Sequence, residues 1–172
     1  MSPSPRPPTL PRFATRWIFR LMGFYPPYLG TGVRVREVSP DLASITVEMP
    51  LRPWNRNWVG THFGGSLYSL ADPWYMLMLI ALLGDAYVVW DKAASIRFLR
   101  PGRGTVRARF EVPPERLAEI RAEADRTGRT EQVFEVAIVD AGGETVAEVE
   151  KRISVRTRER AERACYPSTS SA

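Results

Sequence analysis

Cysteine, histidine and lysine are almost missing from this 172-residue chain, which holds one Cys, one His and only Lys92 and Lys151 among its 24 Lys+Arg. A single cysteine, Cys165 in the polar ending CYPSTSSA, can neither pair within the chain nor build a metal site. That excludes a disulfide framework and leaves no pointer to an oxidising compartment, so a cytoplasmic protein is expected. The scarcity of lysine makes the formal charge of +5 an arginine charge. No basic helix with interleaved aromatics and no nucleic-acid motif accompanies it, so it reads as a solvated surface and nucleic acid is not expected as a partner. The opening MSPSPRPPTLP lacks the apolar stretch of a signal peptide and reads as a flexible arm over residues 1–11. The strongest apolar run, PWYMLMLIALL at 73–83, falls well short of the roughly 20 residues a bilayer span needs, so no membrane span is expected. It reads as a buried helix.

What the chain has in abundance is alternation. ASITVEM (43–49) sets Ile45, Val47 and Met49 against Ser44, Thr46 and Glu48, the period-2 pattern of a half-buried strand. TVRARFE (105–111) repeats it, and in AEVEKRISV (147–155) Ala147, Val149, Ile153 and Val155 point inward. VRVREV (33–38), YVVWDKAASIRFL (87–99) and QVFEVAIV (132–139) complete six strands, the last joined to 147–155 through an AGGE hairpin turn. An amphipathic helix near 12–23 carries Phe13, Trp17, Ile18 and Leu21, and a surface helix begins at Pro114 and stops at Gly128.

An antiparallel sheet of this length needs one face covered, and only the segment 66–83 is apolar nearly all round. The sheet is therefore expected to wrap that helix. At this length one domain is expected, over 12–156, with a C-terminal tail over 157–172.

The stretch NWVGTHFGGSLYSLADPWYMLMLIALLG (57–84) carries the chemistry. Asn57, then Gly60 and Thr61, His62, the pair Gly64 and Gly65, and Asp72 resemble the N(x)nGxxHGG(x)nD signature of hotdog acyl-CoA thioesterases of the phenylacetate-pathway type, although here Phe63 separates the histidine from the glycines. Together with VVWDKAASIRFLRPG the segment is similar to the DUF4442 or YiiD C-terminal-like branch of that superfamily, over roughly residues 12–156. The resemblance implies an α+β hotdog fold, a curved antiparallel sheet of about six strands around a long central helix. It also implies a homodimer, with tetramers left open, an acyl-CoA or related thioester as substrate, and no cofactor or metal.

Elementary chemistry supports a hydrolytic reading. A helix N-terminus offers free N–H groups to a thioester oxygen, and glycines there let an acyl chain approach closely. By resemblance Gly64 polarises the carbonyl, Asn57 orients it or the water, and Asp72 is base or nucleophile. The place of the water-holding serine or threonine of thioesterases falls near Asp91, a second carboxylate that would raise the pKa of Asp72 or take over the water. Each residue has a plainer reading. Asp72 before Pro73 is a routine helix start, Gly64 and Gly65 suit a tight turn, and Asn57 suits a loop cap. His62 is either a structural histidine or a base, and Asp91 has Lys92 beside it for an ion pair. Arg97, Arg100 and Arg103 are either solvated or hold coenzyme A phosphates. The single histidine argues against the hydratases of the same fold; the rival from another class is a non-catalytic acyl-CoA or lipid binder.

Overall fold

The computed structural model describes residues 10–165. Most of the arm expected at 1–11 and the end of the tail expected at 157–172 lie outside the described residues, and the start of that tail forms a helix, α6 (Arg158–Cys165). The six strands are β1 (Arg34–Val38), β2 (Ser44–Pro50), β3 (Tyr87–Phe98), β4 (Thr105–Glu111), β5 (Arg129–Val139) and β6 (Thr145–Thr157). They form one antiparallel sheet in the order β1-β2-β4-β5-β6-β3. The hairpin between β5 and β6 is closed by Asp140, whose Oδ1 accepts from the N–H groups of Gly142 and Glu144, with Gly143 at φ 83°.

The central helix is broken in two, α3 (Gly64–Ala71) and α4 (Trp74–Leu83). Pro73 has no N–H to continue the ladder, and the indole N–H of Trp74 donates to the Leu70 carbonyl at 2.8 Å. Taken together residues 64–83 are a 20-residue run of mean hydropathy 1.4, long and apolar enough to cross a membrane on those criteria, which the 73–83 segment alone is not. Here half of it is buried within the molecule. Trp74, Met78 and Leu79 are fully buried, as are the inward residues Ile45, Val47, Met49, Val106 and Phe110 of β2 and β4. Tyr75 stacks on Phe134 at 4.5 Å between ring centres and donates its hydroxyl to the Glu135 carbonyl, fixing α4 on β5. Each such large apolar side chain contributes about 1.5–3 kcal/mol by leaving water. α5 (Pro114–Thr127) begins at a proline and ends where Gly128 turns left-handed at φ 78°, as its sequence requires.

The two ends of the sheet differ. β1 is short, and α1 (Arg12–Leu21) lies against it, with Arg16 Nε donating to the Val38 carbonyl at 2.9 Å. The amphipathic helix forms as expected, but among its large apolar residues only Phe19 is buried; Phe13, Trp17, Ile18 and Leu21 face outward. A turn and α2 (Pro26–Thr31) follow. At the other end β3 presents twelve residues with no strand on its outer side among the described residues.

Candidate active site

Asp72 sits at the break between α3 and α4. Pro73, not Asp72, occupies the N-cap position of α4, and no side chain caps that helix, so the helix-start reading of Asp72 does not describe the geometry. Its carboxylate instead accepts two hydrogen bonds on one oxygen, from Tyr68 Oη at 2.8 Å and Lys151 Nζ at 2.9 Å, both to Oδ1. Oδ2 has no partner among the described residues, and the side chain is 50% exposed. The carboxylate is thus held at one corner and open at the other.

Lys151 comes from β6 and is buried, with 1% of its side chain exposed. Its ammonium also lies 3.0 Å from Asp91 Oδ2 on β3, and 5.6 Å above the Tyr68 ring. Burial opposes the charge of Lys151, but its hydrogen bonds to Asp72 and Asp91 outweigh that and raise its pKa. Asp91 stands at a bulge in β3, where the register against β6 shifts between Asp91 and Ala93. Burial raises its pKa against the pull of Lys151, and its Oδ1 is buried without a partner among the described residues. Lys92, the neighbour expected to pair with Asp91, points elsewhere and binds Glu131 at 2.6 Å.

A second locus lies at the start of α3. Phe63 offers no side-chain cap, and the N–H groups of Gly64 and Gly65 find no acceptor among the described residues, so the positive end of the helix is open. A Cβ on Gly64 would stand 2.9 Å from the Phe98 ring, so Gly64 lies in direct contact range of the far end of β3. Gly64 opens onto a cleft of about 690 Å³ lined also by Asn57, His62, Leu67, Arg100 and Arg103. Asn57 is fully engaged: its amide donates to Thr61 Oγ1 and the His62 carbonyl and accepts from the N–H groups of Val59 and Thr61, which ties the loop forming one cleft wall. His62 is 2% exposed. Its Nε2 lies 3.0 Å from the Gly104 carbonyl, which can only accept, so Nε2 carries the hydrogen and Nδ1 is left buried without a partner. Burial lowers its pKa despite that bond.

Residues 15–155 match a family described as a domain of unknown function, DUF4442. The chain belongs to the DUF4442 family. Among solved structures it is similar to the Pseudomonas aeruginosa protein PA5026, named a probable thioesterase, with 26% identity, TM-score 0.73, and coverage of 87% of this chain and 97% of that one. It also shares its fold with the Haemophilus influenzae thioesterase HI1161 (18% identity, TM-score 0.63, 83% and 90% covered) and with a Shewanella oneidensis protein likewise named for thioesterase activity (19%, 0.63, 84% and 99%). No curated protein resembles it closely enough to count as a match. The fold is the hotdog fold.

In this DUF4442 chain the sequence-expected residues fall into two groups. Asn57, His62 and Gly64 share the cleft with Arg100 and Arg103, while Asp72 and Asp91 meet only through Lys151. Gly65 is exposed beside Phe63, and Arg97 pairs with Glu148 across the β3–β6 ladder, away from the cleft. Arg100 pairs with Glu144 at the cleft rim. Lys151 and Tyr68 were missed. The signal for Lys151 was present: it occupies the inward position of the alternation Ala147, Val149, Lys151, Ile153, Val155, where an unpaired charge would be untenable.

Proposed function

We propose that the protein is an acyl-CoA thioesterase whose site is assembled from two chains. The observation that carries this reading is Asp72, fixed through Oδ1 by Tyr68 and Lys151 and presenting a free Oδ2 to solvent, which is the arrangement a general base for water requires. The carbonyl oxygen of the thioester would lie at the N–H groups of Gly64 and Gly65. Water attacks the carbonyl carbon while Asp72 accepts its proton; the C–S bond then breaks, and the leaving thiolate takes that proton back, giving acid and free thiol. Lys151 positions Asp72 and Asp91, and Asp91 helps hold the water. Arg100 and Arg103 at the cleft offer charge to coenzyme A phosphates.

One chain cannot bring both loci to one carbonyl. Gly64 and Asp72 are eight residues apart, roughly 12 Å along a helix axis. Likewise Asp91, within β3, lies seven residues before Phe98 at the end of that strand, roughly 23 Å along it. Antiparallel pairing of two β3 edges about a two-fold axis would join two six-stranded sheets into one and bring Asp91 of each strand toward Phe98 of its partner. The unpaired length of β3 supports such a dimer. Hydrolysis of aryl, short and long acyl-CoAs, followed as free thiol release with retained ligand identified by mass spectrometry, tests the proposal. Release by the native chain and not by Asp72→Asn is the expected result; a retained thioester with no turnover would identify a non-catalytic acyl binder instead.

A further inference from the structure

The N-terminal helix is amphipathic the wrong way round for a core helix. Phe13, Trp17, Ile18 and Leu21 fall on one side of α1 and are 45–70% exposed, whereas the opposite side carries the buried Phe19 and the anchoring Arg16. The exposed set continues beyond the helix through Phe24, Tyr25 and Leu29. Side chains of this size and exposure present on the order of 700 Å² of apolar surface, more than the largest patch a monomer usually leaves bare.

Charge says what covers it. Residues 1–36 contain no Asp or Glu and six arginines, of which Arg12, Arg16 and Arg20 recur every fourth residue along α1. Arg20 lies 5.6 Å over the Trp17 ring, at the border of the apolar face, where a guanidinium can reach a headgroup while the indole enters the acyl region. Asp41 is the acid in the field of Arg12. A second copy is a poor occupant, because a two-fold pair of these faces would bring like arginines together. The face also lies on β1, at the end of the sheet opposite the free edge of β3.

We propose that α1 and the segment through α2 dock the protein on an anionic lipid bilayer, lying in the interface plane with Phe13, Trp17 and Leu21 inserted and Arg12 and Arg20 against lipid phosphates. Such a helix lies on the membrane and does not span it. The docking is independent of the chemistry of the cleft.

Co-sedimentation of the full chain with vesicles tests this. One set is phosphatidylcholine alone and the other contains about one third phosphatidylglycerol. Binding to the anionic set only is expected, with release at about 0.5 M salt. The double variant Phe13→Ser/Trp17→Ser, exposed at both positions and checked for an unchanged circular dichroism spectrum and melting temperature, should bind at least tenfold more weakly. The Arg12→Gln/Arg20→Gln variant should lose the preference for anionic lipid. No binding to anionic vesicles at low salt, or equal binding by the double serine variant, would overturn the proposal. So would a smaller assembly in sedimentation for the serine variant without any vesicle binding, which would assign the face to a second copy of the chain.

Discussion

Lys151 holds Asp72 by a single oxygen. The ammonium lies 2.9 Å from Oδ1, the atom that also accepts from Tyr68, and Oδ2 remains open on a half-exposed side chain. Asp72→Asn keeps an oxygen for both donors and loses only the basic carboxylate. It should lower turnover of the best thioester by at least about 100-fold, with the proposed dimer intact. Tyr68→Phe removes one of two restraints, and a loss of roughly tenfold or less is expected. Steady-state kinetics on both variants measure this, and a Tyr68→Phe loss equal to that of Asp72→Asn would mean the hydroxyl does more than position.

The cluster should respond unequally to loss of its cation and loss of its anions. Asp72 and Asp91 are 50% and 25% exposed, and water can screen what Lys151 leaves behind; Lys151 itself is 1% exposed. Asp72→Asn/Asp91→Asn therefore strands a buried ammonium and should cost about 3–5 kcal/mol at neutral pH, whereas Lys151→Met should cost about 1 kcal/mol or less. Adding Lys151→Met to the double variant should restore most of the loss. Urea denaturation of the four proteins gives the comparison, and an additive result would contradict the coupling.

His62 supplies a pH dependence with a definite sign. Burial lowers its pKa below the ordinary 6.5. As pH falls, the unfolded chain takes up this proton before the folded one. The stability that the neutral ring contributes is complete above about pH 6.5 and is lost as pH falls through the folded value, with a slope of up to about 1.4 kcal/mol per pH unit. This is the only histidine in the chain, so its imidazole proton resonance can be titrated without ambiguity. A midpoint below 6.5 is expected, and a midpoint above it would refute the assignment. His62→Gln should flatten the stability profile across that window.

Arg103 lines the cleft, and no acid is recorded against it among the described residues. Arg103→Gln should raise KM for acyl-CoA by roughly three- to tenfold with little change in kcat. A thioester of the same acyl group lacking the coenzyme A phosphates should show no change in KM. An equal rise for both substrates would place the arginine on the acyl side.

Strands β4 and β5 were legible because each carries a strict period of two over a half-buried face; β4 is found at the residues expected, 105–111. The central helix was legible as apolar, and Asp72 before Pro73 as a helix start, but not that the break sets Asp72 against Lys151 of β6, far away in sequence. Lys151 was passed over because alternation sorts by polarity, and a charge on an inward position is understood only once its partners, 79 and 60 positions earlier at Asp72 and Asp91, are known to converge on it. The helix α1 shows the converse: the period of 3.6 fixes that Phe13, Trp17 and Leu21 share a face, and only tertiary packing decides that the face looks outward. Asn57 was open between a loop cap and a site residue, and its four hydrogen bonds give the loop full use of the amide.

The proposed sharing of the site between two chains is tested most directly by mixing two inactive variants. Gly64→Val blocks the helix N-terminus and Asp72→Asn removes the base, each checked beforehand for native assembly and negligible turnover. If each site takes Gly64 from one chain and Asp72 from its partner, a mixed dimer holds one site with both changes and one with neither. Random exchange makes about half the dimers mixed, so activity should rise to roughly a quarter of the native value. With mixed dimers demonstrated by differential tags, activity that stays at the level of the separate variants would contradict a site shared between chains.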